Sequence, residues 1–149
     1  MSALSFIGEP TVVLATAFFG YVSAALRGQS KIETALFYGA IAFCINILIK
    51  QLIHRARPNN LAIETFGLKS YSFPSGHAFG TIIFYGLFAL LDIKYLVFPL
   101  NWIIGGFIWL IIFMIGLSRV YLKRHYPTDV LAGWLLGGIS LIVIALMAF

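Results

Sequence analysis

The sequence carries little charge. Asp, Glu, Lys and Arg make up only 10% of its 149 residues, whereas hydrophobic residues make up 61%, and the mean hydropathy is +0.98. A soluble domain of this size carries about 25% charged residues. Because so few charges exclude a surface that faces water on all sides, we predict an integral membrane protein. The length predicts a single domain over residues 1–149.

Cysteine is nearly absent as well. Cys44 is the only one, which excludes an intramolecular disulfide and metal sites of the CxxC type. Its apolar neighbours predict a small residue packed in the core. The first apolar segment lacks a preceding basic stretch, so we expect it to belong to the fold and not to a cleaved signal.

Five apolar segments have about the length that a helix needs to cross the roughly 30 Å hydrocarbon core of a bilayer. They run from about Pro10 to Leu26, Lys31 to Ile53, Ser75 to Leu91, Pro99 to Leu117 and Thr128 to Phe149. Since they lack the period-two alternation of strands, we predict an all-α bundle of about five transmembrane helices. Small residues that predict close helix contacts are Gly105, Gly106, Gly133, Gly137 and Gly138.

Counting five crossings places the connections after the second and the fourth segments on one side of the membrane, together with the N-terminus. These two connections and the adjoining segment ends hold seven of the ten Lys and Arg residues. The seven are Lys50, Arg55, Arg57, Lys69, Arg119, Lys123 and Arg124. We therefore expect the polar chemistry of the protein at one membrane face.

Lys50, Arg57 and Arg119 adjoin the ends of apolar segments. Cations buried there are costly unless an anion pairs with them, and the two connections hold only two acidic residues, Glu64 and Asp129. A phosphate group would supply the missing charge, because Arg binds its oxygens through a planar fork and Lys acts as a point charge. We predict that these three cations bind phosphate.

Residues 74–77 read PSGH and open the third segment. Gly76 has no side chain to block an anion. The backbone amides of Ser75, Gly76 and His77 are expected at the N-terminus of a helix, where free N–H groups and the helix dipole favour an anion. This motif predicts a second phosphate-binding device.

Two histidines, His125 and His77, supply the groups that transfer of a phosphoryl group requires. His125 and Asp129 are four residues apart at the entry to the fifth segment. Asp129 is expected to accept the Nδ1 proton of His125, which leaves Nε2 free to attack phosphorus. His77 is then expected to protonate the leaving oxygen and to activate water afterwards.

The scattered acidic residues do not suit a two-metal phosphatase, which holds its ions with several carboxylates. We therefore predict no metal and no other cofactor, and activity in EDTA. Nucleic acid is not an expected partner, because the cations lie in short connections between apolar runs. Membrane lipids are expected partners.

Three motifs stand in order between residues 50 and 129: KxxxxxxRP, PSGH and SRxxxxxHxxxD. This pattern resembles that of the type 2 phosphatidic acid phosphatase family, which shares its site with soluble acid phosphatases and vanadium haloperoxidases. The resemblance implies a metal-independent lipid phosphatase with a phosphohistidine on His125, Asp129 as its orienting partner and His77 as the general acid. It assigns a phosphate cradle to Lys50, Arg57, Ser75, Gly76 and Arg119.

The resemblance also bears on topology. Membrane members of that family commonly have six spans, with the first motif after the third; here it follows the second. This departure favours a homo-oligomer. The family resemblance favours an active site outside the cytoplasm in the cell membrane. The count of cations is seven against three in favour of the cytoplasmic face, but it becomes four against three, which favours neither face, once Lys50, Arg57 and Arg119 are assigned to phosphate.

The predicted substrate is a lipid phosphate or diphosphate, because the cations adjoin the ends of membrane helices. We favour a polyprenyl diphosphate over phosphatidic acid and phosphatidylglycerophosphate, since a small bundle with a shallow site suits a thin chain. The alternatives are a membrane-resident phosphatase for soluble esters and a non-enzymatic lipid-binding bundle, with a haloperoxidase least expected.

Several polar residues near the motifs are not expected to take part in the chemistry. His54, Arg55, Lys123 and Arg124 are predicted to contact solvent or lipid headgroups. The segment 59–73 is predicted to be either a plain loop or an interfacial lid that carries Leu61, Ile63, Phe66 and Leu68.

Overall fold

The computed structural model of the protein describes residues 2–58, 64–65 and 68–149. The helices in this part of the chain are α1 (Ser2–Ile7), α2 (Pro10–Leu26), α3 (Ser30–Ile53), α4 (Gly76–Tyr95), α5 (Leu100–Tyr121) and α6 (Pro127–Ala148). Helices α2 to α6 correspond to the five predicted segments, whereas α1 was not predicted. Between α3 and α4, strands β1 (Glu64–Thr65) and β2 (Leu68–Lys69) form a short antiparallel pair. The predicted lid residues Leu61, Ile63 and Phe66 lie outside the described residues.

Helices α3, α5 and α6 are long and apolar enough to cross a membrane. The 24 residues of α3 extend about 36 Å at 1.5 Å per residue, which exceeds the roughly 30 Å of the hydrocarbon core. Outward side chains such as Leu52, Leu135 and Leu146 are exposed, as suits a surface that faces lipid. The protein is an integral membrane helical bundle. Helices α2 and Gly76–Leu91 of α4 are apolar but shorter, so the number of crossings stays a prediction.

Helix α4 lies at the centre of the bundle and packs against α2, α3, α5 and α6. Its side chains Phe79, Ile83 and Phe84 are buried in the apolar core. The prediction of a core position for Cys44 is wrong, because Cys44 is exposed while its neighbour Phe43 takes the core-facing position of α3.

Gly133 and Gly137 bring α6 against α4, as predicted. A methyl group added at Gly133 would lie 2.7 Å from the carbonyl oxygen of Ser75, and one at Gly137 would lie 3.0 Å from the carbonyl oxygen of Phe79. The same prediction is wrong within this chain for three further glycines, because a methyl group there would meet open space: Gly105, Gly106 and Gly138. The close α4–α6 contact places the PSGH motif beside the start of α6.

Candidate active site

One cavity of about 100 Å³ lies where α3 ends, α4 begins and α5 ends. Six of the eight predicted site residues line it: Lys50, Arg57, Gly76, His77, Arg119 and His125. The other two, Ser75 and Asp129, are fully buried and contact one another through the Ser75 amide and the Asp129 carbonyl oxygen, 3.0 Å apart. The fold therefore gathers residues that are up to 79 positions apart in sequence into one place.

Lys50 and Arg57 are tied to the segment that precedes α4. The Lys50 ammonium donates to the carbonyl oxygens of Pro74, at 2.5 Å, and Tyr71, at 3.2 Å. The Arg57 guanidinium donates to the carbonyl oxygen and the hydroxyl of Ser70 at 3.1 and 3.0 Å. An ammonium has three N–H donors, so Lys50 retains one for a ligand. Burial lowers the pKa of Arg57.

Arg119 is almost completely buried near the C-terminus of α5. One of its terminal nitrogens donates to the Ser5 hydroxyl, and its Nε has no hydrogen-bond partner in the described part of the chain. None of Lys50, Arg57 and Arg119 forms an ion pair with a described carboxylate. Their partners are neutral carbonyl oxygens, hydroxyl oxygens and, for Arg57, an imidazole nitrogen, all of which solvate a cation without neutralising it.

His125 is held in the turn between α5 and α6. The Arg119 carbonyl oxygen accepts the amides of Arg124 and His125 at 3.0 and 3.3 Å. A terminal nitrogen of Arg57 lies 3.2 Å from Nε2 of His125. Because a guanidinium only donates, Nε2 must carry the lone pair and the ring proton lies on Nδ1. Burial lowers the pKa of His125 to about 3, so the ring is neutral.

Asp129 lies beside Nδ1 of His125, as predicted, but beyond hydrogen-bond distance. Its Oδ2 lies 3.7 Å from Nδ1 of His125, and the Ser72 hydroxyl is close to both atoms. That hydroxyl donates to Oδ2 and lies 3.5 Å from Nδ1. Oδ2 also accepts the Tyr126 amide at 2.9 Å. Ser72 was missed because it lies outside the three motifs.

Arg55 was also missed. It was predicted to contact solvent or headgroups, yet its guanidinium donates to Oδ1 of Asp129 at 2.7 Å and to the Thr128 hydroxyl at 2.9 Å. The guanidinium carbon lies 4.4 Å above the ring centre of Tyr126. In the sequence, the one sign of a role for Arg55 was its position two residues before Arg57 of the first motif. Asp129 is therefore fixed from both sides.

The Ser75 amide is not free, contrary to the prediction. That amide donates to the Asp129 carbonyl oxygen at 3.0 Å, and the Ser75 hydroxyl accepts the Ala78 amide at 3.4 Å. The amides of Gly76 and His77 begin α4, where no carbonyl one turn earlier belongs to the helix. The N-terminus of α4 thus presents Gly76 and His77 to the cavity, and Ser75 anchors it.

His77 meets an acidic residue that sequence reasoning did not select. Its Nε2 lies 3.4 Å from Oε2 of Glu9, which precedes α2 and lines the same cavity. The contact with His77 lowers the pKa of Glu9. Together with the bond from Arg119 to Ser5, this places the N-terminal segment beside the site, as the count of crossings predicts.

Two exposed cations, Lys69 and Arg124, stand at the rim of the cavity. Arg124 is exposed, in line with the predicted contact with solvent or headgroups. It also contacts the site, because its carbonyl oxygen accepts a hydrogen bond from Arg57 at 3.0 Å. Lys123 is exposed, and it does not line this cavity. Among the residues that the structure describes, no group of three or more His, Cys, Asp or Glu is placed to hold a metal ion.

Residues 32–149 match the family model of the PAP2 superfamily. The chain belongs to this superfamily. Phosphatidylglycerophosphatase B of Bacillus subtilis is 37% identical over 98 residues, which are 62% of this chain and 46% of that protein. Undecaprenyl-diphosphatase of Sulfolobus acidocaldarius is 38% identical over 101 residues, which are 65% of this chain and 45% of that protein. The chain spans about half the length of the curated relatives it matches.

A solved structure shares the fold of this PAP2 protein. The transmembrane PAP2-type phosphatidylglycerolphosphate phosphatase from Bacillus subtilis superimposes with a TM-score of 0.83 at 26% sequence identity. The superposition covers 99% of this chain and 74% of that chain. The family resemblance and the helical membrane fold expected from sequence are both confirmed.

Proposed function

We propose that this PAP2 protein is an integral membrane phosphatase that hydrolyses a lipid phosphate or diphosphate through a phosphohistidine on His125. The proposal rests on one observation: in this cavity, three buried cations that lack a carboxylate partner lie beside the unprotonated Nε2 of His125. A phosphoryl group would pair with the cations and meet the nitrogen at the same place.

The phosphoryl group would be held from several sides. Arg57 and Arg119 would bind its oxygens, the free N–H of Lys50 would reach a further oxygen, and the first amides of α4 at Gly76 and His77 would complete the cradle. Phosphoryl transfer depends mainly on positioning and charge stabilisation. These groups supply both without a change in their own protonation.

In the first step, Nε2 of His125 attacks phosphorus. The P–N bond forms, the bond to the leaving oxygen breaks, and His77 donates a proton to that oxygen. Binding of phosphate would draw Arg57 from Nε2 and free its lone pair. Ser72 and Asp129 would hold Nδ1–H and stabilise the charge that develops on the ring.

In the second step, water attacks phosphorus and gives a proton to His77. The P–N bond breaks, its electron pair returns to Nε2, and inorganic phosphate leaves. Glu9 supports this alternation, because a carboxylate beside His77 favours the protonated ring that the first step requires.

The substrate would be anchored in the bilayer. The cavity lies at the ends of membrane helices, where a lipid headgroup resides. The relatives are named for a phosphate monoester and for a diphosphate, and a site that binds one terminal phosphoryl group suits both. The polyprenyl diphosphate preferred from sequence stays a prediction.

The test is phosphate release by the purified protein from phosphatidylglycerophosphate, phosphatidic acid, undecaprenyl diphosphate and p-nitrophenyl phosphate in EDTA. We expect turnover of at least one lipid, preference over the soluble ester, and acid-labile phosphate trapped on wild type but not on His125→Ala. Full activity of His125→Ala would refute the phosphohistidine, and turnover of the soluble ester alone would refute the lipid substrate.

We also propose that the active-site face lies outside the cytoplasm, with the family resemblance as support. Charge counting is neutral once the cradle cations and the paired Arg55 are set aside, since three cations remain on each predicted side: Lys69, Lys123 and Arg124 against Arg27, Lys31 and Lys94. In a Cys44→Ser background, an impermeant maleimide should label Lys123→Cys in intact cells and spare Arg27→Cys. The reverse pattern would refute this orientation.

A further inference from the structure

Asn46 is a buried polar side chain that the mechanism above does not use. It lies on α3 four residues before Lys50, so both side chains project from the same helix face. Its side chain is 1% exposed and it lines the same cavity as the cations and histidines. It is therefore positioned with the cradle and not with the lipid-facing surface.

Both polar atoms of the Asn46 amide lack a hydrogen-bond partner in the described part of the chain. Burying an amide without partners destabilises a folded protein. Buried polar groups are otherwise nearly always bonded, so each exception requires an explanation. A ligand that fills the cavity would supply the missing partner.

The surroundings of Asn46 indicate what that ligand is. A methyl group added at Gly76 would lie 3.8 Å from Oδ1 of Asn46 and 3.6 Å from Cε of Lys50. The amide thus adjoins both the lysine and the first turn of α4, which are two separate phosphate-binding devices. A phosphoryl oxygen between them would accept the Nδ2–H bond.

We propose that Asn46 is a substrate-binding residue whose Nδ2 donates a hydrogen bond to an oxygen of the transferring phosphoryl group. The inference rests on the proposed phosphate site and adds a neutral donor to it. Unlike a cation, an amide adds no like-charge repulsion to a cavity that already holds three buried cations and two exposed ones at its rim.

The test compares Asn46→Leu, Asn46→Asp and Asn101→Leu in the full-length protein, with orthovanadate as the probe of the phosphoryl site. Thermal unfolding in detergent, with and without vanadate, gives the stability of each variant and its apparent vanadate dissociation constant. Asn101 is the matched control, because it is buried, its Oδ1 accepts the Trp102 amide at 2.9 Å, and it does not line the cavity.

Asn46→Leu keeps the approximate shape and removes both unpaired polar atoms. We expect its melting temperature without ligand to rise and its vanadate affinity to fall by about tenfold to a hundredfold, as for loss of a bond to a charged group. Asn46→Asp should lose more affinity, because it places a second anion beside the first. Asn101→Leu should melt lower with its vanadate affinity unchanged.

An Asn46→Leu vanadate affinity within twofold of wild type would overturn the inference. A lower melting temperature of Asn46→Leu would also overturn it, because the amide would then have partners in the free protein. Wild type that binds vanadate yet releases no phosphate from any ester would refute the proposed hydrolysis and leave this comparison valid.

Discussion

Replacing Arg55 by Gln should slow the reaction without weakening substrate binding. Arg55 lies 2.7 Å from Oδ1 of Asp129, and in the described residues this oxygen has no second side-chain partner. The substitution leaves a fully buried carboxylate oxygen unpaired. Asp129 would then be free to rotate away from Ser72 and from the Nδ1 side of His125.

The magnitude follows from the exposure of the pair. A hydrogen bond to a charged group contributes about 1.5–3 kcal/mol, but the Arg55 side chain is 37% exposed, so water screens part of the interaction. We therefore assign about 1–1.5 kcal/mol to the interaction between Arg55 and Asp129, and its loss should lower kcat by about five- to tenfold. The KM should change little, because Arg55 does not line the cavity.

The assay is steady-state phosphate release by Arg55→Gln, Asp129→Asn and the double variant. If Arg55 acts through Asp129, the double variant should be no slower than Asp129→Asn alone. Lys123→Gln serves as the control, since it removes an exposed cation from the same membrane face. A wild-type kcat for Arg55→Gln, or additive losses in the double variant, would refute this positioning role.

Four further outcomes are expected. Gly76→Ala should fold normally, because its methyl group meets Lys50 at an ordinary 3.6 Å, but should lose kcat/KM as the methyl group enters the cavity. Glu9→Gln should reduce kcat more for a lipid ester than for p-nitrophenyl phosphate, whose leaving group needs no acid. Because burial lowers the pKa of His125 to about 3 from about 6.5 in the unfolded chain, the unfolded state binds more protons between these values. Stability should therefore fall as pH decreases from about 6.5 to 3, and less so in His125→Asn, as thermal unfolding would show. Gly133→Val should unfold at lower temperature, since a methyl group there lies 2.7 Å from a backbone oxygen.

The five long helices were predictable because each is a nearly continuous apolar run, and three of them, α3, α5 and α6, are long enough to cross a membrane. The cavity residues were predictable because charge is scarce in such a chain, so cations at helix ends require a partner. Helix α1 was missed because its six residues are too few for a periodic pattern. Ends of helices differed from the predicted bounds by a few residues, because helix ends fray and composition does not fix the terminal residue.

Contacts between distant segments were harder to predict. Ser5, Glu9 and Ser72 are ordinary residues in sequence, and they become site neighbours because α1, α2 and the segment before α4 pack around one end of the bundle. Arg55 appeared equivalent to the exposed cations near it. Only the fold shows that it pairs with Asp129, because that pairing joins residues 74 positions apart.

The neutral partners of the cradle cations connect the fold to the proposed reaction. Carboxylates would neutralise Lys50, Arg57 and Arg119 and compete with phosphate, whereas the carbonyl and hydroxyl oxygens that bond them leave their charge available. Mutual repulsion of the cations in a buried site is relieved when an anion enters, and the relief increases as charge spreads over the equatorial oxygens in the transition state. Among the described residues that line the cavity, Glu9 is the one acidic side chain; it faces His77, where its negative charge would assist the proposed proton donation and not phosphate binding. The cations that would bind phosphate thus have neutral partners, whereas the histidine that would protonate the leaving group has an acidic one.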